Sequence, residues 1–364
     1  MSDYRCFIDS NILIKNQELI LLPDGVFLWN KIVLFLQEKF NMLGYKQIYV
    51  DNLLAFVEKN NEYPTQYFTL KNDEDKIKLI SYGKYLNEIE EARNKTIDIL
   101  EIYNLLGKDL LAIPFLMGKL PLEQDKNILS TYLGKKDVEA SYLGKKKEYY
   151  LNYSCITTDI LFTLLNIHRD EKGLVLPPRI APNQIAIVPL KQNEKGVLKE
   201  CREVLENLKR KGFRVVLNDS NKITSNEKRT SFIEAGIPLI IEIGPRDVER
   251  KMIEVISRDN LDKIEILNDD KLVEQINYLL QKMHKRMYNK ILINSIKKEK
   301  SIVDINSLLI KENEVNKVSW CGEEECLKNY KSHMNFISFN QQQKEDKCLF
   351  CSRKSKYVIS MIKN

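Results

Sequence analysis

Gly173-Leu-Val-Leu-Pro-Pro-Arg-Ile-Ala-Pro182 runs directly into Asn183-Gln-Ile-Ala-Ile-Val-Pro-Leu190. Past the last of these prolines the pattern of the chain becomes regular. Ile185 to Leu190 reads as a strand, Gly196 to Lys211 as a helix and Phe213 to Leu217 as a second strand. Asn226 to Ala235 is a helix closed by Gly236, and Pro238 to Ile243 is a third strand. Short strands alternating with helices over residues 183–285 imply βαβ units around a sheet. A long basic helix is expected over 270–299.

Upstream of the quoted stretch the signals are more varied. Leu21-Leu-Pro-Asp-Gly25 marks a turn, after which Phe27, Leu28, Ile32, Phe35, Leu36, Phe40 and Leu43 keep helical spacing up to a C-cap at Gly44. Gln47 to Val50 reads as a strand, 58–76 as a loop or short hairpin, and Tyr85 to Leu106 as a helix ending at Gly107. Leu110 to Leu116 reads as a buried strand and Ile156 to Ile167 as an apolar helix. Tyr132-Leu-Gly-Lys-Lys136 recurs as Tyr142-Leu-Gly-Lys-Lys146. Two copies at that spacing fit adjacent hairpin strands, and equally fit chance similarity in a Lys-rich loop.

Composition narrows the function classes. No run of 18 apolar residues is present, so no membrane span is expected. Met1-Ser-Asp-Tyr-Arg-Cys6 lacks a basic region followed by an apolar one, so a signal peptide is not expected and the cytoplasm is. The net charge of +6 is unevenly placed. Residues 1–180 hold 23 Lys and Arg against 25 Asp and Glu, and residues 181–364 hold 34 against 26. A basic C-terminal half attracts polyanions through phosphate contacts and counterion release. The plainer reading is the solvated surface of a Lys-rich protein.

Four of seven cysteines fall in two close pairs near the C-terminus, Cys321-x4-Cys326 and Cys348-x2-Cys351. Close pairs joined by a longer loop suit tetrahedral zinc bound by four thiolates, and a module this small cannot bury enough core to fold without the metal. The zinc is expected to be structural, because four thiolates leave no open coordination position. The alternative is two unrelated reactive pairs. His333, between the pairs, is not needed as a ligand.

Several segments resemble the prolyl-tRNA synthetases of the archaeal/eukaryotic-like type, in collinear order over nearly the whole chain. Gly173–Pro182 and the strand after it resemble the junction between the catalytic and anticodon-binding domains of that family. Leu22-Pro-Asp-Gly-Val-Phe-Leu-Trp29, the helix after it and Gly44-Tyr-Lys-Gln-Ile-Tyr-Val-Asp-Asn-Leu-Leu54 resemble class II motif 1. Glu90 to Tyr103 and Leu111 to Gly118 resemble the helix and strand after motif 2, and Ile167-His-Arg-Asp-Glu-Lys-Gly-Leu-Val-Leu-Pro-Pro178 the end of motif 3. Glu234-Ala-Gly-Ile-Pro-Leu-Ile-Ile-Glu-Ile-Gly-Pro-Arg-Asp247 is a long match in the second domain. Trp320-Cys-Gly-Glu-Glu-Glu-Cys326 and Lys347-Cys-Leu-Phe-Cys351 match the zinc domain.

The resemblance implies an α+β class II synthetase-like catalytic domain over 1–182, with an antiparallel sheet and helices. An α/β anticodon-binding domain over 183–285 and a small zinc-bound α+β module over 286–364 follow. It also exposes departures. The motif 1 proline falls at Asp51. The segment from Leu54 to Lys76 is too short for the family's substrate loops, and the motif 2 arginine aligns near Glu74. Tyr82 and Lys84 flank Gly83 where the family has a glutamate and a histidine. The motif 3 arginine falls at about Asp159, and Ala140-Ser-Tyr142 is the nearest remnant of the Thr-Ser-His run of the proline pocket.

Amino-acid activation develops negative charge on a pentavalent α-phosphate, which arginines and Mg²⁺ must offset. Carboxylates in those places reverse the sign, so no catalytic residue is expected. A non-catalytic protein that binds tRNA or tRNA-like RNA, as a regulator or accessory subunit, is the first expectation. Its partners would be that RNA and either a full-length synthetase or a second copy of the chain, with no membrane. The alternative is an active proline–tRNA ligase or amino-acid adenylating enzyme with a rebuilt pocket, which alone would call for ATP and Mg²⁺. A pure scaffold is the third reading.

Lys228, Arg229 and Glu234 occupy the place where the family approaches the anticodon. The cations would meet the RNA backbone, and the carboxylate would accept from a base amino group. Each is otherwise an ordinary exposed charged residue. The family arginine after Gly-x-Pro-Leu is Ile240 here. Gly244 to Asp247 reads as a structural turn with Arg246 paired to Asp247 or to a carbonyl. His168 is expected in a core or capping role and His284 on a solvated basic face. Cys155 and Cys201 are expected to be inert.

Overall fold

The computed structural model describes residues 12–15, 19–42, 46–47, 67–72, 78–86, 89–114, 129–140, 145–157, 159–296, 299–301, 315–323, 325–328, 334–341 and 346–363. In chain order the elements begin with β1 (Leu13–Lys15), β2 (Leu19–Leu21), α1 (Pro23–Met42), β3 (Lys46–Gln47), β4 (Tyr67–Asn72), β5 (Lys78–Leu86) and α2 (Ile89–Leu105). A π-helical turn (Leu106–Leu111) leads to β6 (Leu129–Ala140), β7 (Lys145–Thr157) and α3 (Asp159–His168). The α/β region follows: β8 (Ile185–Pro189), α4 (Val197–Arg210), β9 (Val215–Leu217), α5 (Ser225–Glu234), β10 (Leu239–Ile243), α6 (Pro245–Arg250), β11 (Met252–Ser257), β12 (Lys263–Leu267) and α7 (Leu272–Ile296). The chain closes with β13 (Glu299–Ser301), β14 (Val315–Trp320), α8 (Glu325–Lys328), β15 (Met334–Gln341) and β16 (Tyr357–Lys363).

By backbone contact the chain divides into two compact units. One gathers Met1–Ile32, Asp109–Ala112 and Leu161–Asn289, and the other Val33–Lys108, Ile113–Ile160 and Lys290–Asn364.

The first unit is built on a five-stranded sheet of order β12-β11-β10-β8-β9. Strands β8, β9 and β10 are parallel, joined by α4 and α5, while β11 and β12 add antiparallel strands. Every residue of β8 and β10 is buried, as expected for central strands covered on both faces. Ile185, Ile187, Leu239 and Ile241 pack on one face against Val197, Cys201, Val204 and Leu208 of α4 and Leu272, Ile276 and Leu280 of α7. Ala186, Val188, Ile240 and Ile256 turn to the other face, against Phe232 and Ile233 of α5.

The stretch from Gly173 to Pro182 is pinned to this sheet. The Leu174 N–H donates to the Glu234 carbonyl (2.9 Å) and the Leu176 N–H to the Gly236 carbonyl (3.1 Å). Gly236 sits at φ 76°, and a Cβ there would lie 2.7 Å from the Leu174 backbone, so only glycine fits. Arg214 gathers the carbonyls of Ala181 (2.8 Å), Pro178 (3.2 Å) and Arg179 (3.3 Å). Just upstream, fully buried Arg258 binds both Asp170 carboxylate oxygens at 2.7 Å.

The second unit holds two sheets, one of order β3-β4-β5-β7-β6, the other β13-β14-β16-β15. In the former, β4, β5, β7 and β6 are antiparallel neighbours. In the latter, Val318, Trp320, Tyr357, Ile359 and Met361 form a small core with Leu327, Cys321 and Cys348, against which Ile97 of α2 packs.

Several sequence expectations change. Tyr85 and Leu86 belong to β5 and pair with Leu151 and Tyr150, so the helix expected from Tyr85 starts at Ile89. Ile156 and Thr157 end β7, because β-branched residues suit a strand, and the expected helix begins at Asp159. Leu110 and Leu111 are buried as expected but lie in a π-helical turn, not a strand; a short apolar run does not separate the two. The first Tyr-Leu-Gly-Lys-Lys copy lies in β6, but only Lys145 and Lys146 of the second lie in β7, facing Ala140 and Glu139, so the copies do not face each other. Strands β11 and β12 and helix α6 were not anticipated. Asp51, Glu74, most of 54–76 and His333 lie outside the described residues.

Candidate functional site

The four C-terminal cysteines converge. Cys321 follows β14, Cys326 lies on α8, and Cys348 and Cys351 sit in the turn leading into β16. Their sulfurs all lie within 4.8 Å of one another, with Cys321 to Cys326 at 3.6 Å and Cys321 to Cys351 at 3.7 Å. The backbone shapes this pocket from both sides. Gly322 adopts φ 97° directly after Cys321, the Trp320 indole N–H donates to the Glu323 carbonyl, and the Cys326 N–H also donates there. In the other turn the Cys348 N–H donates to the Arg353 carbonyl (2.7 Å), and the Ser352 N–H to the Cys348 carbonyl.

Four soft donors gathered this closely can hold a metal ion. Their electrostatics are uneven. Burial pushes the Cys321 and Cys326 thiols up. The Arg353 backbone N–H and guanidinium pull Cys351 down to about 6, which favours its thiolate.

The three residues expected at the RNA interface do not form one open cluster. Helix α5 is fixed by a capping box: the Glu227 N–H donates to the Thr224 hydroxyl, while the Thr224 N–H donates to the Glu227 carboxylate (2.7 Å). Lys228, in the first turn, is 1% exposed and donates to the Gln192 side-chain oxygen at 2.7 Å. Burial holds its ammonium below the usual lysine range. Arg229 reaches over the sheet to Glu242 (3.1 Å) and to Asn226 (2.5 Å). Glu242 is 2% exposed, and its burial pushes its carboxyl up against the pull of Arg229 and Lys263. Glu234 is exposed at the end of α5, its carbonyl held by Leu174.

Other residues take up defined places. Ile240 is fully buried in β10. Asp247 accepts from the Gly244 N–H at 2.7 Å and so fixes the start of α6; Arg246 is exposed and, among the described residues, is not its partner. His168 is buried and its Nε2–H donates to the Leu111 carbonyl at 2.9 Å, a core role. His284 is a correction: it is buried, because helical spacing puts it with Met283 and Met287 on the inner side of α7 while Lys282 and Lys285 face out. Cys201 is buried and its thiol is pushed up to about 12, which keeps it inert. Arg286 is turned inward to Asp259 (2.7 Å) and Ser257, contacts that its position in a basic run did not reveal.

In the stretch that resembles motif 2, β4 and β5 pair antiparallel, and Tyr82, Gly83 and Lys84 lie in β5 opposite Ser154, Tyr153 and Asn152. Asp159 is the first residue of α3.

Comparison with known proteins gives three findings. Residues 184–278 match the family model for an anticodon binding domain. The proline–tRNA ligases of Acetoanaerobium sticklandii and Alkaliphilus oremlandii are each 30% identical to this chain, over 315 and 320 residues, covering 77% of it and 65% of the relative. The chain thus spans just under two thirds of the length of these relatives. Among solved structures, prolyl-tRNA synthetase from Cryptosporidium parvum, complexed with L-proline and AMP, matches with a TM-score of 0.73 and 19% identity. That match covers 98% of this chain and 95% of the other, and shows a shared fold.

Proposed function

Since the chain belongs to the prolyl-tRNA synthetase family, we propose that it binds tRNA or a tRNA-like RNA without charging it, as a regulatory or accessory subunit. The observation that carries this reading is the contrast between two places in the chain. The anticodon-binding-type sheet has a buried apolar core on each of its faces. By the resemblance, the stretch around motif 2 is short, Tyr82 and Lys84 stand in β5 where the family has a glutamate and a histidine, and Asp159, opening α3, falls where the family has an arginine that grips phosphate. One lost interaction with a developing phosphate charge costs ~10²–10³ in rate. The test is binding of bulk tRNA by the full chain over a salt series, alongside proline-dependent ATP–pyrophosphate exchange. Salt-sensitive binding without exchange is expected; no binding at physiological ionic strength overturns the reading.

Glu234 is the open member of the proposed RNA contacts; Lys228 and Arg229 would reach RNA by exchanging Gln192 and Glu242 for it. The reading keeps a three-part division at 1–182, 183–285 and 286–364, a cytoplasmic place, and pairing with a second copy or a full-length synthetase.

The metal is assigned as structural zinc. Zn–S bonds of ~2.3 Å at tetrahedral angles put sulfurs about 3.8 Å apart, close to the 3.6 and 3.7 Å separations of Cys321 from Cys326 and Cys351. Zinc would tie the turn after β14 to the turn before β16, and with four thiolates it would offer no position to a substrate.

A second reading, an active ligase with a rebuilt pocket using ATP and Mg²⁺, is favoured by the shared fold with a synthetase that holds proline and AMP. Proline-dependent exchange above background establishes it.

A further inference from the structure

The outer face of α7 has no role so far and carries an unusual combination of side chains. Tyr278 is 61% exposed. Gln281, Lys282 and Lys285 follow it at i+3, i+4 and i+7, all exposed and therefore on one face of the helix. The opposite face is anchored, with Ile276, Leu280, Met283 and Met287 buried, so this surface is presented on a rigid element. The Lys282 ammonium stands 5.9 Å from the centroid of the Tyr278 ring. Over Leu272–Ile296 the only carboxylate is Glu274, against Lys282, Lys285, Arg286 and Lys290. Arg286 is neutralised by Asp259, whereas Lys282 and Lys285 have no ion-pair partner among the described residues.

We propose that Tyr278, Lys282 and Lys285 form a platform for single-stranded RNA, in which an unpaired base stacks on the tyrosine and the flanking phosphates meet the two lysines. This rests on the RNA-binding reading above and names a surface for it separate from Lys228, Arg229 and Glu234. Tyr278 and Lys285 are separated by seven residues, a rise of about 10 Å along the helix, so the lysines lie within reach of phosphates adjoining one stacked base. An exposed aromatic ring offers its face to any base, and such stacking tolerates sequence because every base has a π-face. Lysines without carboxylate partners gain by releasing counterions from the strand. An isolated exposed tyrosine would need no explanation; this one lies in line with uncompensated cations on a helix nearly free of acids.

The test is fluorescence anisotropy of a labelled, unstructured single-stranded RNA with the full chain, over a salt series. Tyr278→Ala is expected to weaken binding roughly 10-fold, the size of one lost stacking contact, while Tyr278→Phe stays within about twofold. The double variant Lys282→Gln/Lys285→Gln is expected to lower the salt slope by about 1.4, at ~0.7 per phosphate for single strands. Duplex RNA of the same sequence is expected to compete poorly, since its bases are already stacked. Circular dichroism confirms that each variant is folded. If the unaltered chain binds and Tyr278→Ala binds equally well with an unchanged salt slope in the lysine variant, the platform is refuted and the RNA-binding reading stands. If the unaltered chain binds no RNA, both fall.

Discussion

The sheet of β8 to β12 and the sheet of β13 to β16 solve the same problem by different means. The former buries two apolar layers, one on each face, supplied by α4, α5 and α7. The latter has one small core, and two of its buried members, Cys321 and Cys348, belong to the thiol cluster. Small structures fall short on burial and are completed by metals. Thus the first sheet has apolar layers on both faces to stabilise it, whereas the second has a smaller core and a thiol cluster that could hold a metal ion.

The largest effect expected from this difference is on metal removal. Structural zinc supplies an apparent ~10–16 kcal/mol in small modules near neutral pH, comparable to the whole stability of a typical domain. Chelation, or Cys348→Ser, is therefore expected to abolish amide protection over residues 315–363 and leave 185–267 protected, read by hydrogen exchange with mass spectrometry. Equal loss in both regions would break the comparison, and so would no loss in either.

Next in size is the ion pair that ties Asp170 to the first sheet. Arg258 is fully buried and its guanidinium has both Asp170 oxygens. Asp170→Ala strands that charge, which costs about 3 kcal/mol in urea unfolding; the partial exposure of Asp170 keeps the figure at the low end. The pair also sets a pH dependence. The Arg258 hydrogen bonds hold the Asp170 carboxyl below its usual range. Its contribution is thus full above roughly pH 4 and is lost as pH falls through the lower folded value. Asp170→Asn is expected to flatten that acid limb. Gly236→Ala follows at roughly 2 kcal/mol, from a strained left-handed backbone and a Cβ driven against Leu174.

How much of this was legible depended on which physical signal each residue carried. The alternation from Ile185 to Ile243 announced an α/β sheet because β8 and β10 are buried on both faces and read as unbroken apolar runs. The cysteine spacing announced the thiol cluster, since ligand geometry is local. Strands β11 and β12 carried weaker marks: Met252-Ile-Glu-Val-Ile-Ser257 alternates, but Glu254 sits among charged neighbours on the α5 face and β12 is exposed at four of its five positions. Lys228 and Arg229 looked like free surface cations because Gln192 and Glu242, their partners, are 36 and 13 residues away in sequence. His284 was misplaced because a run of basic neighbours hid its phase on α7.

The smallest expected effect sharpens the comparison inside the first sheet. Thr224 closes the capping box that starts α5, the helix that carries Arg229 to Glu242 and ends at the Leu174 contact. Thr224→Ala removes the side-chain acceptor of the Glu227 N–H and is expected to cost about 1 kcal/mol. Because α5 covers only one face of the sheet, the loss should raise exchange locally, in residues 224–234, while β8 and β10 stay protected. If exchange rises equally across both strands, the two apolar layers are a single cooperative unit, and α5 is as integral to the sheet as α4 and α7.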